Sequence, residues 1–224
     1  MTQARNDIFD PTSVGVYHCM SRCVRRAYLC GEDEVTKKSF EHRRELIRNR
    51  LCQLTEIFAI EVIGYAVMSN HYHIILRNRP DIAAKWSLEE IAERWLSVFP
   101  PKSRERKEFL VEKRYVEAII GGPERIELFR TRLSCISWFN RCMNEYLACV
   151  ANAEDDCTGR FWEGRFKCQR VEDIKATLAC AAYVDLNRDC NGNCVWSSER
   201  LKYERSYLQL TDLAWSESLR KHYR

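Results

Sequence analysis

The chain has 224 residues, 46% of them hydrophobic, which suits one large domain with a proper core and excludes global disorder. Its formal charge of +4 and pI near 8.4 rest on 30% charged residues of both signs. That balance is too mild to imply a nucleic-acid partner, so local clusters have to carry any such argument. No apolar run is long enough to span a bilayer. Met1 to Pro11 is polar and lacks a signal-peptide core, so the expected location is the cytoplasm and the twelve cysteines are expected to be mostly thiols. Cys135, Cys142 and Cys149 recur every seven residues, as small packed side chains on a helix would. Cys19, Cys23, Cys30, Cys190 and Cys194 lack the Cys-x-x-Cys spacing of a zinc ribbon.

In chain order, Val14 to Cys23 starts with β-branched and aromatic residues and predicts a strand. A turn at Gly31 leads to a helix from about Val35 to Phe58. Its buried stripe is Phe40, Ile47, Leu51, Leu54 and Phe58, and Arg43, Arg44, Arg48 and Arg50 form a solvated face. Ile60 to Met68 and His71 to Arg77 read as two strands. The turn formers Ser69 and Asn70 join them into an antiparallel hairpin. After Pro80 the pattern becomes helical. Ser87 and Glu90 make a capping box, and Phe99-Pro100-Pro101 ends that helix.

Lys102 to Ile120 reads as another helix, stopped at Gly121-Gly122-Pro123. A long helix is expected from about Glu124 to Asn152, burying Ile126, Phe129, Leu133, Ile136, Phe139, Met143 and Leu147. The turn-rich loop Asn152 to Arg160 precedes a fourth strand, Phe161 to Val171. A helix from near Asp173 carries Ile174, Leu178, Ala181 and Leu186 and ends at Asn191-Gly192-Asn193. This order predicts a single α+β domain over 1–224, with helices on one face of an antiparallel sheet. A helical insertion occupies about 81–152, and a polar tail about 197–224.

Alternation along the third strand sends His71 and His73 to the same face, with Cα atoms about 6.5–7 Å apart. Two imidazoles so placed can share a divalent metal. Taken alone, the pair reads better as two half-buried strand histidines with ordinary hydrogen bonds. The last helix adds Tyr183-Val184-Asp185-Leu186-Asn187. Tyr183 and Asn187 share a helix face, and the Asn187 carbonyl suits a hard cation. A phenol, two imidazoles and an amide oxygen together suggest metal-assisted attack by tyrosine on a phosphate. Asp185 points away from Tyr183 and takes no role. His18 reads as a structural strand histidine.

His71-Tyr72-His73 resembles the histidine–hydrophobic–histidine motif of single-tyrosine HUH transposases. The ordered stretches VGVYHCMSRCVRRAYLCG, GYAVMSNHYHIILR, TGRFWEGRF and AAYVDLN, spanning Val14 to Asn187, are similar to the REP-associated tyrosine transposases. The family pattern carries a proline after the last asparagine, where this chain has Arg188. The resemblance implies a ferredoxin-like HUH fold, with His71, His73 and Asn187 as metal ligands and Tyr183 as nucleophile. It further implies Mg2+ or Mn2+ and single-stranded DNA with a hairpin of the repetitive extragenic palindrome type. The implied activity is that of a DNA transposase or nickase forming a 5′-phosphotyrosine intermediate.

Arg22, Arg25 and Arg26 follow the first strand. Arg160, Arg165, Lys167 and Arg170 flank Phe161, Trp162 and Phe166. Basic residues interleaved with aromatics suit phosphate tracking and base stacking on an unpaired strand, with Trp162 either stacking or packing. Two other readings stay open. One is a non-catalytic regulator binding DNA hairpins on the same fold. The other is a cysteine-rich protein whose metal is structural.

Overall fold

The computed structural model describes residues 9–24, 28–33, 35–101 and 113–171. Strand β1 spans Gly15–Arg22, helix α1 His42–Ile57, β2 Ile60–Val67 and β3 His71–Asn78. The helical segment follows as α2 Pro80–Ala83, α3 Leu88–Val98, α4 Lys113–Ile120, α5 Pro123–Leu133 and α6 Ile136–Glu154, and β4 spans Lys167–Val171. The sheet order is β2-β3-β1-β4, and every neighbouring pair is antiparallel. β3 therefore lies between β1 and β2, the split βαβ arrangement of a ferredoxin-like sheet. This is the α+β class expected from the sequence. The helix from Asp173, the polar tail and residues 102–112 lie outside the described residues.

The core follows from period-two alternation on the strands and helical stripes above them. Tyr17, Cys19 and Ser21 of β1 face the same side as Tyr72, Ile74 and Leu76 of β3, and all six are buried. Ile47, Leu51 and Leu54 of α1 cover that side together with Phe139, Met143 and Leu147 of α6. Phe58 meets Phe139 edge-on, with ring centroids 5.6 Å apart. The insert packs around Trp95, which stacks on Phe129 at 4.0 Å.

Local bonds fix the ends of β3. Met68 N–H donates to His71 O at 2.8 Å, closing a two-residue turn over Ser69 and Asn70. Leu29 N–H donates to Ser69 O, and Cys23 N–H to Asn70 O. At the far end, the fully buried Asn78 accepts from Gly15 N–H and donates to Ser13 O. Ser87 and Glu90 form the expected capping box at the start of α3.

Four local expectations are corrected. The first helix starts at His42, because Asp33 takes the preceding residues into a turn. Its carboxylate accepts from Val35 N–H and the Thr36 hydroxyl, and Lys37 adopts a φ of 57°. The long helix from Glu124 is two helices broken at Ser134 and Cys135, since Ala59 N–H occupies the Leu133 carbonyl at 2.9 Å. The fourth strand begins at Lys167, not Phe161; ahead of it, Trp162 only bridges Cys23. Cys149 is exposed, whereas Cys142, one heptad before it, is buried.

Arg43 also departs from the solvated face, at 3% exposure. Its guanidinium donates to Glu154, to Asp155 and to Tyr28 O, and it lies 4.3 Å over the Phe40 ring. The start of α1 is thereby clamped to the end of α6. Stripping one partner from a buried ion pair costs roughly 3–5 kcal/mol. The acids keep 27% and 24% side-chain exposure, so water recovers part of that loss. We expect Arg43→Ala to lower unfolding free energy by about 2–3 kcal/mol in urea titrations. A change below about 0.5 kcal/mol, the usual range of surface substitutions, would contradict the clamp.

Candidate functional site

β3 presents two unlike faces. Tyr72 enters the core side, where its hydroxyl donates to Asn144 Oδ1 at 2.7 Å. Asn144 Nδ2 donates to Ser21 Oγ, and Trp162 Nε1 donates to the Asn144 carbonyl. Burial raises the Tyr72 phenol above its ordinary pKa, so it stays protonated and able to donate. This network holds β3, β1, α6 and the segment before β4 together beneath the strand.

The other face carries His71 and His73, their rings 5.2 Å apart and inclined at 74°. Arg22 stands directly opposite His71 on β1, and Met20 opposite His73. His71 Nδ1 lies 2.6 Å from Asn70 Oδ1. An amide oxygen only accepts, so Nδ1 carries the hydrogen and the neutral ring keeps its lone pair at Nε2. His73 Nδ1 lies 2.8 Å from His18 Nε2, with the two rings stacked at 4.9 Å and 18°. When His73 donates in this bond, its own lone pair also falls at Nε2. Both rings are then oriented through Nδ1, as metal-binding imidazoles are.

Burial and neighbouring imidazoles keep the His73 ring neutral. Burial, then repulsion from His18 and His71, pushes the His73 imidazole down to about 4. Burial also lowers His18. Neutral imidazole is the form that binds metal. The donor chemistry thus fits two ligands of a divalent cation. Among the described residues, no group of three or more His, Cys, Asp or Glu side chains is placed to hold a metal ion. Asn187, the expected third ligand, and Tyr183, the expected nucleophile, lie outside the described residues, as do Arg25 and Arg26.

The remaining basic residues separate by face. Arg22 and Lys167 share the histidine side, since Lys167 opposes Met20 on β4. The Arg22 side chain is 53% exposed and 3.8 Å from Glu163. Arg170 opposes Tyr17 on the other side. Arg160 and Arg165 are exposed in the segment before β4. Trp162 packs: it is 8% exposed and meets Tyr72 and Phe161 edge-on. His18 is the residue to which sequence reasoning gave only a structural role. Its shared parity with Met20 was visible; its position diagonal to His73 needed the β1–β3 register.

No protein-family model matches the chain, and no curated protein matches it. Among solved structures, the chain is similar to a REP-associated tyrosine transposase bound to a REP hairpin. The TM-score is 0.45 at 11% identity, covering 84% of this chain and 72% of that one.

The depressed His73 pKa has a consequence for stability. Between pH 4 and 6.5 the unfolded imidazole takes a proton that the folded one refuses, so unfolding free energy rises with pH across that window. The contribution is complete above pH 6.5 and is lost as pH falls, at most about 3 kcal/mol. Urea midpoints measured from pH 4 to 7 should therefore show a shallower pH slope for His73→Asn than for wild type. Parallel slopes would mean that His73 titrates normally.

Proposed function

We propose that the chain is a DNA transposase or nickase that cleaves and rejoins single-stranded hairpin DNA through Tyr183. The observation that carries this reading is the His71–His73 pair: on one sheet face, each ring tied at Nδ1. The ordered resemblance to REP-associated tyrosine transposases supplies the reaction class.

In this reading His71, His73 and Asn187 hold Mg2+ or Mn2+. The chemistry such a cation supplies when bound is polarisation of the scissile phosphate and stabilisation of charge on its oxygens. The Tyr183 hydroxyl gives up its proton and its oxygen bonds to phosphorus. The bond from phosphorus to the 3′ oxygen breaks, leaving a 3′ hydroxyl and a 5′-phosphotyrosine. One phosphodiester replaces another, so rejoining is the reverse step and needs no external energy. With a phenol pKa near 10, forming phenolate at pH 7 costs about 4 kcal/mol. Lowering that cost at the phosphate is what the ligand set is for. Arg22 and Lys167, on the same face, suit the phosphates on either side of the scissile one.

The direct test incubates the full chain with labelled hairpin DNA carrying single-stranded flanks and Mn2+ or Mg2+, followed by a denaturing gel. A covalent adduct is expected with wild type and none with Tyr183→Phe. An adduct that survives Tyr183→Phe would remove Tyr183 as nucleophile. Hairpin binding with no adduct under either metal would leave a binding protein in place of an enzyme.

His18 is a positioning residue here, acting through His73 Nδ1. Loss of such an outer partner typically weakens metal affinity by about 10–100-fold. We expect that fall for Mn2+ binding by His18→Ala in calorimetry, with His18→Asn retaining part of it. Equal Mn2+ affinity in His18→Ala and wild type would assign His18 to packing alone.

A further inference from the structure

Cys19 on β1 and Cys168 on β4 are direct partners across an antiparallel pair. The matches from Val16 with Val171 to Met20 with Lys167 fix that register. Cys19 lies on the core side of the sheet, so Cys168 does too, and it packs against the same apolar cluster. The Cys19 thiol donates to Cys168 Sγ at 3.7 Å, and both sulfurs are unbridged. Directly opposed residues of such a pair have Cα atoms about 4.5–5.5 Å apart. A disulfide spans about 4.4–6.8 Å between Cα atoms, so a bridge is within reach of the backbone as it stands.

The two sulfurs differ in access. Cys19 is 0% exposed, whereas Cys168 is partly exposed on a strand at the edge of the sheet. A reagent from solvent meets Cys168 and reaches Cys19 only through it. One accessible thiol beside a second that can resolve its adduct is the arrangement of a redox-responsive pair. Lys167 and Arg170 flank Cys168 as exposed cations, which favours an anionic reagent.

We propose that Cys19 and Cys168 form an oxidisable pair, which a small anionic disulfide such as glutathione disulfide converts into a bridge stapling β4 to β1. Cys168 Sγ attacks one sulfur of the reagent, and its proton leaves with the first displaced thiol. Cys19 Sγ then attacks Cys168 Sγ and expels the second thiol, which takes up the Cys19 proton. Two protein thiols are oxidised, and one disulfide is reduced to two thiols. The bridge joins positions 149 residues apart, so it removes much freedom from the opened chain. The chain runs on from β4 to Tyr183, and oxidation fixes the near end of that run to the sheet bearing the histidine pair. The pair is independent of the tyrosine chemistry and of any DNA.

The test incubates the full folded chain with glutathione disulfide, quenches in acid, alkylates the remaining thiols and digests with trypsin. Cleavage after Lys and Arg leaves Cys19 in residues 6–22 and Cys168 in residues 168–170, each with a single cysteine. Mass spectrometry should find these two peptides joined, lighter than their sum by the two hydrogens lost, and separated by dithiothreitol. In Cys19→Ser, glutathione should instead stay on Cys168. Amide hydrogen exchange across residues 167–171 should slow by about tenfold in the oxidised wild type, as local opening of the edge strand is suppressed. Glutathione retained on Cys168 in wild type would overturn the pair. So would an unmodified Cys168 when the exposed Cys149 and Cys157 carry the reagent. A bridge that leaves exchange in β4 unchanged would overturn the staple.

Discussion

The antiparallel register between β1 and β3 governs the geometry of this molecule. It sets Ser21 against Tyr72 on one side of the sheet and Arg22 against His71 on the other. It also brings His18 diagonally to His73. A slip of one residue would exchange the faces, sending imidazoles into the apolar core and Tyr72 to the opposite surface. Many bonds oppose such a slip. The Ser69–Asn70 turn is gripped by Leu29 and Cys23, and Asn78 ties the far end to Ser13 and Gly15.

The two faces depend on each other. Below the strand, Tyr72, Asn144, Ser21 and Trp162 form a closed set of donors and acceptors. Loss of one member would strand a buried partner, so the set resists small displacements. Above it, burial keeps the His73 and His18 imidazoles from taking up a proton. The strand is thus immobilised from beneath so that the rings can be aimed from above. Pre-set donors are what distinguish a site from a chance pair of histidines.

Much of this was readable along the chain, and the failures share one cause. The β2–β3 hairpin followed from alternation around two turn residues, and the α3 start from Ser87 and Glu90, because those signals are local. The break at Ser134 was not readable, since it depends on Ala59 N–H arriving from a distant element to take the Leu133 carbonyl. Arg43 looked like one more surface cation until Glu154 and Asp155 were folded against it. His18 needed a register that no local pattern contains. The pairing of His71 with His73 was legible because a strand's period is two. Their orientation through Asn70 and His18 is tertiary.

The cysteines acquire a role from burial alone. The nine described ones are unbridged, yet they are not equivalent. Cys52, Cys149 and Cys157 are exposed. Burial pushes the Cys23 thiol up to about 12 and Cys142 to about 11. Electrophiles react with thiolates, so the outer sulfurs answer to solvent and the inner ones only to opening of the core. Cys23 bridges Trp162 and donates its N–H to the hairpin turn. Alkylation there would record, molecule by molecule, each time the sheet came apart at its histidine end.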